Sequence, residues 1–204
     1  MIKVNRIIKV LIASDIAYQI GAGFVAPVFA IFLLQSIENG SAQVAGTAAA
    51  IYLLVKSTLR LPIAYFLDKN RGERDDFYSI VSGFFILAIA FYLYLFAKTP
   101  VHIYLIQILT GVGGAFAFTP WYGFFSRHID KHHESLEWGI EVSLVGFGMA
   151  GASYVAGFVA EKFGFEPVFI IAGTFTLLCT CLLLLLGSGL NAHKKDGYLK
   201  EAKK

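Results

Sequence analysis

Charge is scarce in this chain. Asp, Glu, Lys and Arg make up 15% of it, against about a quarter in soluble domains. Cysteine is scarcer: Cys179 and Cys181 are the only two, both in the last apolar run. Two apart on a helix, they cannot face each other, and a zinc site needs more ligands. They are expected to be inert thiols, and neither a metal nor a cofactor is expected. There is no G-x-S-x-G; the nearest string, Gly151 to Val155, lacks the second Gly. There is also no H-E-x-x-H and no Walker-type loop. An intramembrane hydrolase and an ATPase are therefore both disfavoured. The first apolar run follows Lys3, Arg6 and Lys9 but ends in no small-residue cleavage pattern, so it is a permanent span.

What is present is apolar length. The chain is 57% hydrophobic, with 19 Phe and a mean hydropathy of +0.67. A membrane helix needs about 20 mostly apolar residues. Six such stretches fall at roughly 7–34, 44–67, 77–97, 101–125, 138–160 and 168–186, and they leave no room for a soluble domain. An all-α membrane protein is expected, with a six-span domain over 1–190 and a lysine-rich tail over 191–204. The tail is expected to be largely disordered.

Between the second and third spans, Leu61 to Asp76 breaks from apolar residues into seven charges and back. The basic residues near span ends are strongly biased. Lys3, Arg6, Lys9, Lys69, Arg71, Arg74, Arg127, Lys131, Lys194, Lys195, Lys200, Lys203 and Lys204 fall on one side; Lys98 and Lys162 fall on the other. The positive-inside rule then puts both termini and the charged loop in the cytoplasm, in an inner or plasma membrane. The net charge of +3 is a topology signal, and no nucleic-acid partner is expected.

A shift of 93 residues lays Gly21 on Gly114, Ala22 on Ala115, Pro27 on Pro120, Phe32 on Phe125, Gly46 on Gly139 and Lys69 on Lys162. Two three-span repeats follow, about 7–97 and 101–187. An odd span count per repeat inverts the second copy, a transporter trait that places the substrate near the midplane between repeats. Spans 1, 2, 4 and 5 carry the buried polar groups; spans 3 and 6 do not, so they are expected to be lipid-facing supports.

The order of these features resembles one six-span half of a major facilitator superfamily transporter. That family's loop between spans 2 and 3 runs G-x-x-x-D-[RK]-x-G-[RK]-[RK]. Here Ala64 stands for the first Gly, Asp68 and Lys69 are in register, Gly72 comes one residue late and Arg74 closes the motif. Where the family often has Arg in span 4, Gln107 precedes Gly111 and Gly113, and EKFGFEPVF resembles the junction of spans 5 and 6. The resemblance implies a small-solute transporter working by alternating access. Asp68, Lys69, Arg71, Gly72 and Arg74 would form its gating loop, and Asp68 would latch onto span 5 of the opposite half. The family usually has twelve spans. A parallel homodimer standing in for two halves is one expectation; a truncated half or a non-transporting six-span subunit that needs another partner is the other.

Charges in the bilayer core are costly and usually face a bundle interior or a water cavity. Asp15, Lys56, Arg60 and Glu141 lie at similar depths, so they form a candidate substrate or proton-coupling cluster, or else an ion network tying spans 1, 2 and 5. Gln19 and Gln107 are uncharged candidates. Pro27 and Pro120 are candidate hinges, because proline removes a backbone donor. Trp121 and Tyr122 are expected to pack rather than bind. Gly146, Gly148, Gly151, Ala152 and Gly157 suit a close helix contact, between subunits or within one.

Overall fold

The computed structural model describes residues 6–70, 73–130 and 132–201, with side chains for all of these except Asn70 and 186–201. Arg71 and Gly72 of the expected gating loop lie outside the described residues. The described chain is helical: α1 (Arg6–Val25), α2 (Phe29–Ser36), α3 (Ala42–Asn70), α4 (Glu73–Leu93), α5 (Pro100–His128), α6 (Glu134–Phe163) and α7 (Glu166–Glu201). Six of these elements include stretches long and apolar enough to cross a membrane.

Local chemistry sets the ends. Glu73, Asp75 and Asp76 occupy the first turn of α4, where the exposed amides favour negative charge. Pro100 opens α5 after an extended Thr99, where the missing N–H costs nothing. Gly164, at φ +81°, ends α6, and its N–H donates to the Ala160 carbonyl. Glycine takes this conformation without a Cβ penalty, and the chain reverses into α7. The first expected span is two helices, because the turn at Pro27 separates α1 from α2. Pro120, by contrast, lies buried inside an unbroken α5. The tail also differs from expectation, since α7 runs on to Glu201. Its straight-chain Leu, Lys and Glu residues and alanines favour helix, so extension of a formed helix meets little resistance.

Helix packing follows a single series. α3 packs on α5, α5 on α4, α4 on α7, α7 on α1, and α1 on α6. Two of the three inner contacts are glycine-dependent. A Cβ at Gly83 of α4 would lie 2.2 Å from the Ala117 nitrogen of α5, and one at Gly21 of α1 would lie 2.7 Å from the Ala172 carbonyl oxygen of α7. Such close approaches let dispersion hold helices together where lipid removes the hydrophobic driving force. Tyr18, Phe84 and Phe118 join α1, α4 and α5, with ring centroids 5.1–5.5 Å apart.

The third and sixth spans pack within the unit and still leave an exposed apolar face, with Tyr78, Phe85 and Ile89 of α4 and Ile170, Leu178 and Leu184 of α7 on it. In the most apolar stretch of each helix, 44% of residues are buried for α4 and α7, against 0% for α3 and 11% for α6. Lack of polar groups let α4 and α7 pack in the middle, and the polar helices α3 and α6 lie at the two ends of the series.

At the end of the bundle bearing Arg6 and Asp68, Arg127 of α5 pairs with Asp76 of α4. Asp76 is 7% exposed. The neighbouring His128 donates through Nδ1 to the Phe124 carbonyl and brings Nε2 within 3.8 Å of Glu73. Arg127→Ala leaves Asp76 buried without its counter-ion. It should cost roughly 1–2 kcal/mol, below the cost for a wholly buried pair because the arginine is half exposed. A lower unfolding midpoint in detergent, largely restored by adding Asp76→Asn, would show this; an unchanged midpoint would make the pair a surface contact.

Candidate functional site

On α1, Asp15 and Gln19 lie one turn apart on one face. Asp15 is 3% exposed and Glu141 of α6 is 6% exposed. The Asp15 carboxyl interacts side chain to side chain with both Glu141 and Gln19. Small residues bring the two helices this close: a Cβ at Gly23 would meet Ala152 at 3.2 Å, and one at Gly148 would meet Ile20 at 3.2 Å. The Ser153 hydroxyl donates to the Gly23 carbonyl across the same contact.

On α3, Tyr52, Lys56 and Arg60 occupy successive turns of one face. Lys56 Nζ donates to the Tyr52 hydroxyl at 2.8 Å. It lies 4.8 Å from the Phe118 ring centre and 5.1 Å from that of Tyr52. Gly114 of α5 lies beside this side chain, its Cβ position 3.5 Å from Lys56 Cδ, an ordinary contact. Arg60 is exposed and lies 6.0 Å from the Tyr122 ring centre. Neither base forms a salt bridge among the described residues. Lys56 is at the middle of a 29-residue helix, where a basic side chain costs about 2.5–3.5 kcal/mol on insertion scales. Contacts with ring faces offset part of that cost.

The four charged residues expected as one cluster therefore fall into two groups. Asp15 and Glu141 meet between α1 and α6; Lys56 and Arg60 lie on α3 against aromatic rings of α5. Tyr122 is 46% exposed and within electrostatic reach of Asp15, Glu141, Arg60 and Tyr52. It stands between the groups. Trp121 packs in the core, stacked on Phe125 at 5.0 Å. Gln107 is 8% exposed and lines a cavity of about 250 Å³ with Tyr18, Tyr52, Phe91, Tyr94 and Thr110. The tyrosines were missed in the sequence. Spacing was the available signal, because Tyr18 follows Asp15 by three residues and Tyr52 precedes Lys56 by four.

The rest of the expected site is more open. Asp68 and Lys69 are exposed in the last turns of α3, and Arg74 is exposed in the first turn of α4. Asp68 forms no hydrogen bond or ion pair among the described residues, and the nearby charge of Asp76 repels it. It also sits at the negative end of its own helix. Gly139, Gly146, Gly151 and Gly157 of α6 and Gly46 of α3 have nothing within 4 Å of a built Cβ.

The family is shown by a sequence model. Residues 11–203 match the sequence model of the Major Facilitator Superfamily. An uncharacterized MFS-type transporter of Methanocaldococcus jannaschii is 24% identical over 181 residues, covering 88% of this chain and 45% of that protein. The in meso crystal structure of the POT family transporter PepTSo superposes with a TM-score of 0.62 at 17% identity, covering 90% of this chain and 38% of that one. The second likeness shows a shared fold. The chain spans less than half the length of either relative.

Proposed function

Because the chain belongs to the major facilitator superfamily, we propose that it is one six-helix unit of a secondary transporter. It carries a small solute by alternating access, in a parallel assembly with a second copy of itself, and performs no catalytic step. The observation that carries this reading is the set of ionisable groups inside spanning helices, with Asp15 and Glu141 buried where α1 meets α6 and Lys56 and Arg60 on α3 against rings of α5. A scaffold gains nothing evident from four ionisable groups at membrane depth.

The packing order supports an inverted repeat. Exchanging α1 with α5, α3 with α6 and α4 with α7 turns the helix series into its own reverse. The exposed faces of α3 and α6 support a second unit. Arg60 lies nine residues inside Lys69, about 14 Å at helical rise, and faces out of the bundle. A guanidinium there needs water or a partner rather than lipid tails. An even span count lets two copies share an orientation about an axis along the membrane normal, and the basic side faces the cytoplasm. Proton coupling runs through the carboxyl pair.

Asp68, without a partner among the described residues, is the latch to the α6 N-terminus of the second copy. Asp68→Asn relieves repulsion within its own unit, so the unfolding midpoint should hold or rise slightly. The same change should alter cysteine labelling on the cytoplasmic side by weakening the latched state, a contact typically worth about 0.3–1 kcal/mol. Unchanged labelling would remove the latch. The whole reading is tested by particle mass in lipid nanodiscs together with uptake into proteoliposomes under an imposed pH gradient. A dimer that accumulates solute supports it. A stable monomer that carries nothing would refute it.

A further inference from the structure

We propose that the solute is a small organic monoanion with an apolar or aromatic body, its carboxylate received by Lys56 and its body by the adjoining cavity. This names a substrate class for the proposed transport site and rests on that reading.

An ammonium has three donors. One of those on Lys56 goes to the Tyr52 hydroxyl at 2.8 Å, and no other acceptor is found among the described residues. The ring faces of Phe118 and Tyr52 hold the charge in place without neutralising it. Tyr52 accepts from Lys56, so its own O–H remains free to donate, and the same residue lines the cavity. A carboxylate accepts several hydrogen bonds at once, and it meets here both the spare ammonium donors and a phenol hydroxyl. Arg60, one turn along the same face, adds a second positive charge with no fixed counter-ion among the described residues. The buried acids, Asp15 and Glu141, lie together where α1 meets α6, Asp15 beside Gln19, and neither forms a salt bridge with Lys56 or Arg60 among the described residues.

The cavity narrows the class further. At about 250 Å³, it is slightly smaller than the roughly 300–1,000 Å³ of drug-sized ligand pockets. Its lining contains no charged side chain. Rings of Tyr18, Phe91 and Tyr94 supply apolar walls, while Gln107 and Thr110 supply polar groups. An organic cation entering here meets Lys56 and is repelled. A polyhydroxylated solute finds mostly rings where it needs several converging hydrogen bonds. A compact body bearing one carboxylate satisfies both walls.

The test uses the whole chain in nanodiscs and three probes matched in size: benzoate, benzamide and benzylammonium. Benzoate in several-fold excess over its Kd should raise the thermal midpoint by about 2–4 °C, and the neutral and cationic probes should not. Lys56→Gln should abolish the benzoate shift, and Lys56→Arg should keep much of it. An equal shift from benzamide or benzylammonium overturns the proposal. So does a benzoate shift that survives Lys56→Gln, or the absence of any benzoate shift. Uptake of the same probes into proteoliposomes separates the two readings. Binding through Lys56 without uptake of any solute defeats the transport reading alone. Uptake of a neutral or cationic solute without benzoate binding defeats the monoanion alone.

Discussion

Asp15→Asn abolishes accumulation driven by a pH gradient while the protein stays folded. Through one-to-one proton coupling, a difference of one pH unit is worth about 1.4 kcal/mol and supports at most about tenfold accumulation. The variant brings that ratio to one. The reason lies in what asparagine keeps. Its amide is nearly isosteric with the carboxyl, donates to Glu141 and accepts from Gln19, so the α1–α6 contact survives. What it loses is the titratable carboxyl on which the proposed proton coupling depends. Exchange of solute down its own gradient needs no proton and should persist. Glu141→Gln should act likewise, because either half of the pair suffices to remove the carrier. Proteoliposomes loaded at two pH values give the accumulation ratio, and an exchange assay in the same vesicles reports the fold. Full accumulation in Asp15→Asn would take the pair out of the coupling mechanism and leave it as a fastening between helices.

The six spans were legible because lipid imposes length. An unbroken run of about 20 apolar residues matches the thickness of a bilayer core, and charges, Thr99-Pro100 and Gly164 mark the breaks. Position along a helix was legible too, since counting residues from a span end puts Asp15 and Lys56 well inside α1 and α3. Direction around the helix axis was not. Apolar side chains are equally at home against lipid and against another helix, so hydropathy gave no sign that Phe84 and Leu87 of α4 are buried while Leu53 and Leu54 of α3 are exposed. The same gap explains the expected four-charge cluster. Opposite charges at one depth suggest a pair, but the helix series brings α1 to α6 and holds α3 against α5. Asp76 and Arg127 were counted only as part of a charged loop and as a topology signal. Their pairing depends on the α4–α5 contact, which spacing alone does not reveal.

Two glycines separate packing within a unit from packing between units. Gly83 has Ala117 backbone 2.2 Å from its would-be Cβ. Gly83→Leu must push α4 from α5, and overpacking of this kind costs about 1–3 kcal/mol, occasionally more; the purified unit should lose its cooperative unfolding transition. Gly151 is exposed on α6 with nothing within 4 Å. Gly151→Leu meets no obstacle inside the unit, and replacing a mid-helix glycine gains up to about 1 kcal/mol of helix propensity. Taken alone, the unit should be as stable as before or slightly more so. If the α6 face abuts a second copy, the same leucine separates two backbones that glycine had let approach. The particle in nanodiscs should then shift from dimer to monomer, and uptake should fall with it. Gly83→Leu moves the fold, whereas Gly151→Leu moves the assembly and leaves the fold of the unit intact. A Gly151→Leu protein that remains dimeric and fully active would place that face of α6 against lipid, and the contact between copies would have to run through α3, where Arg60 faces outward.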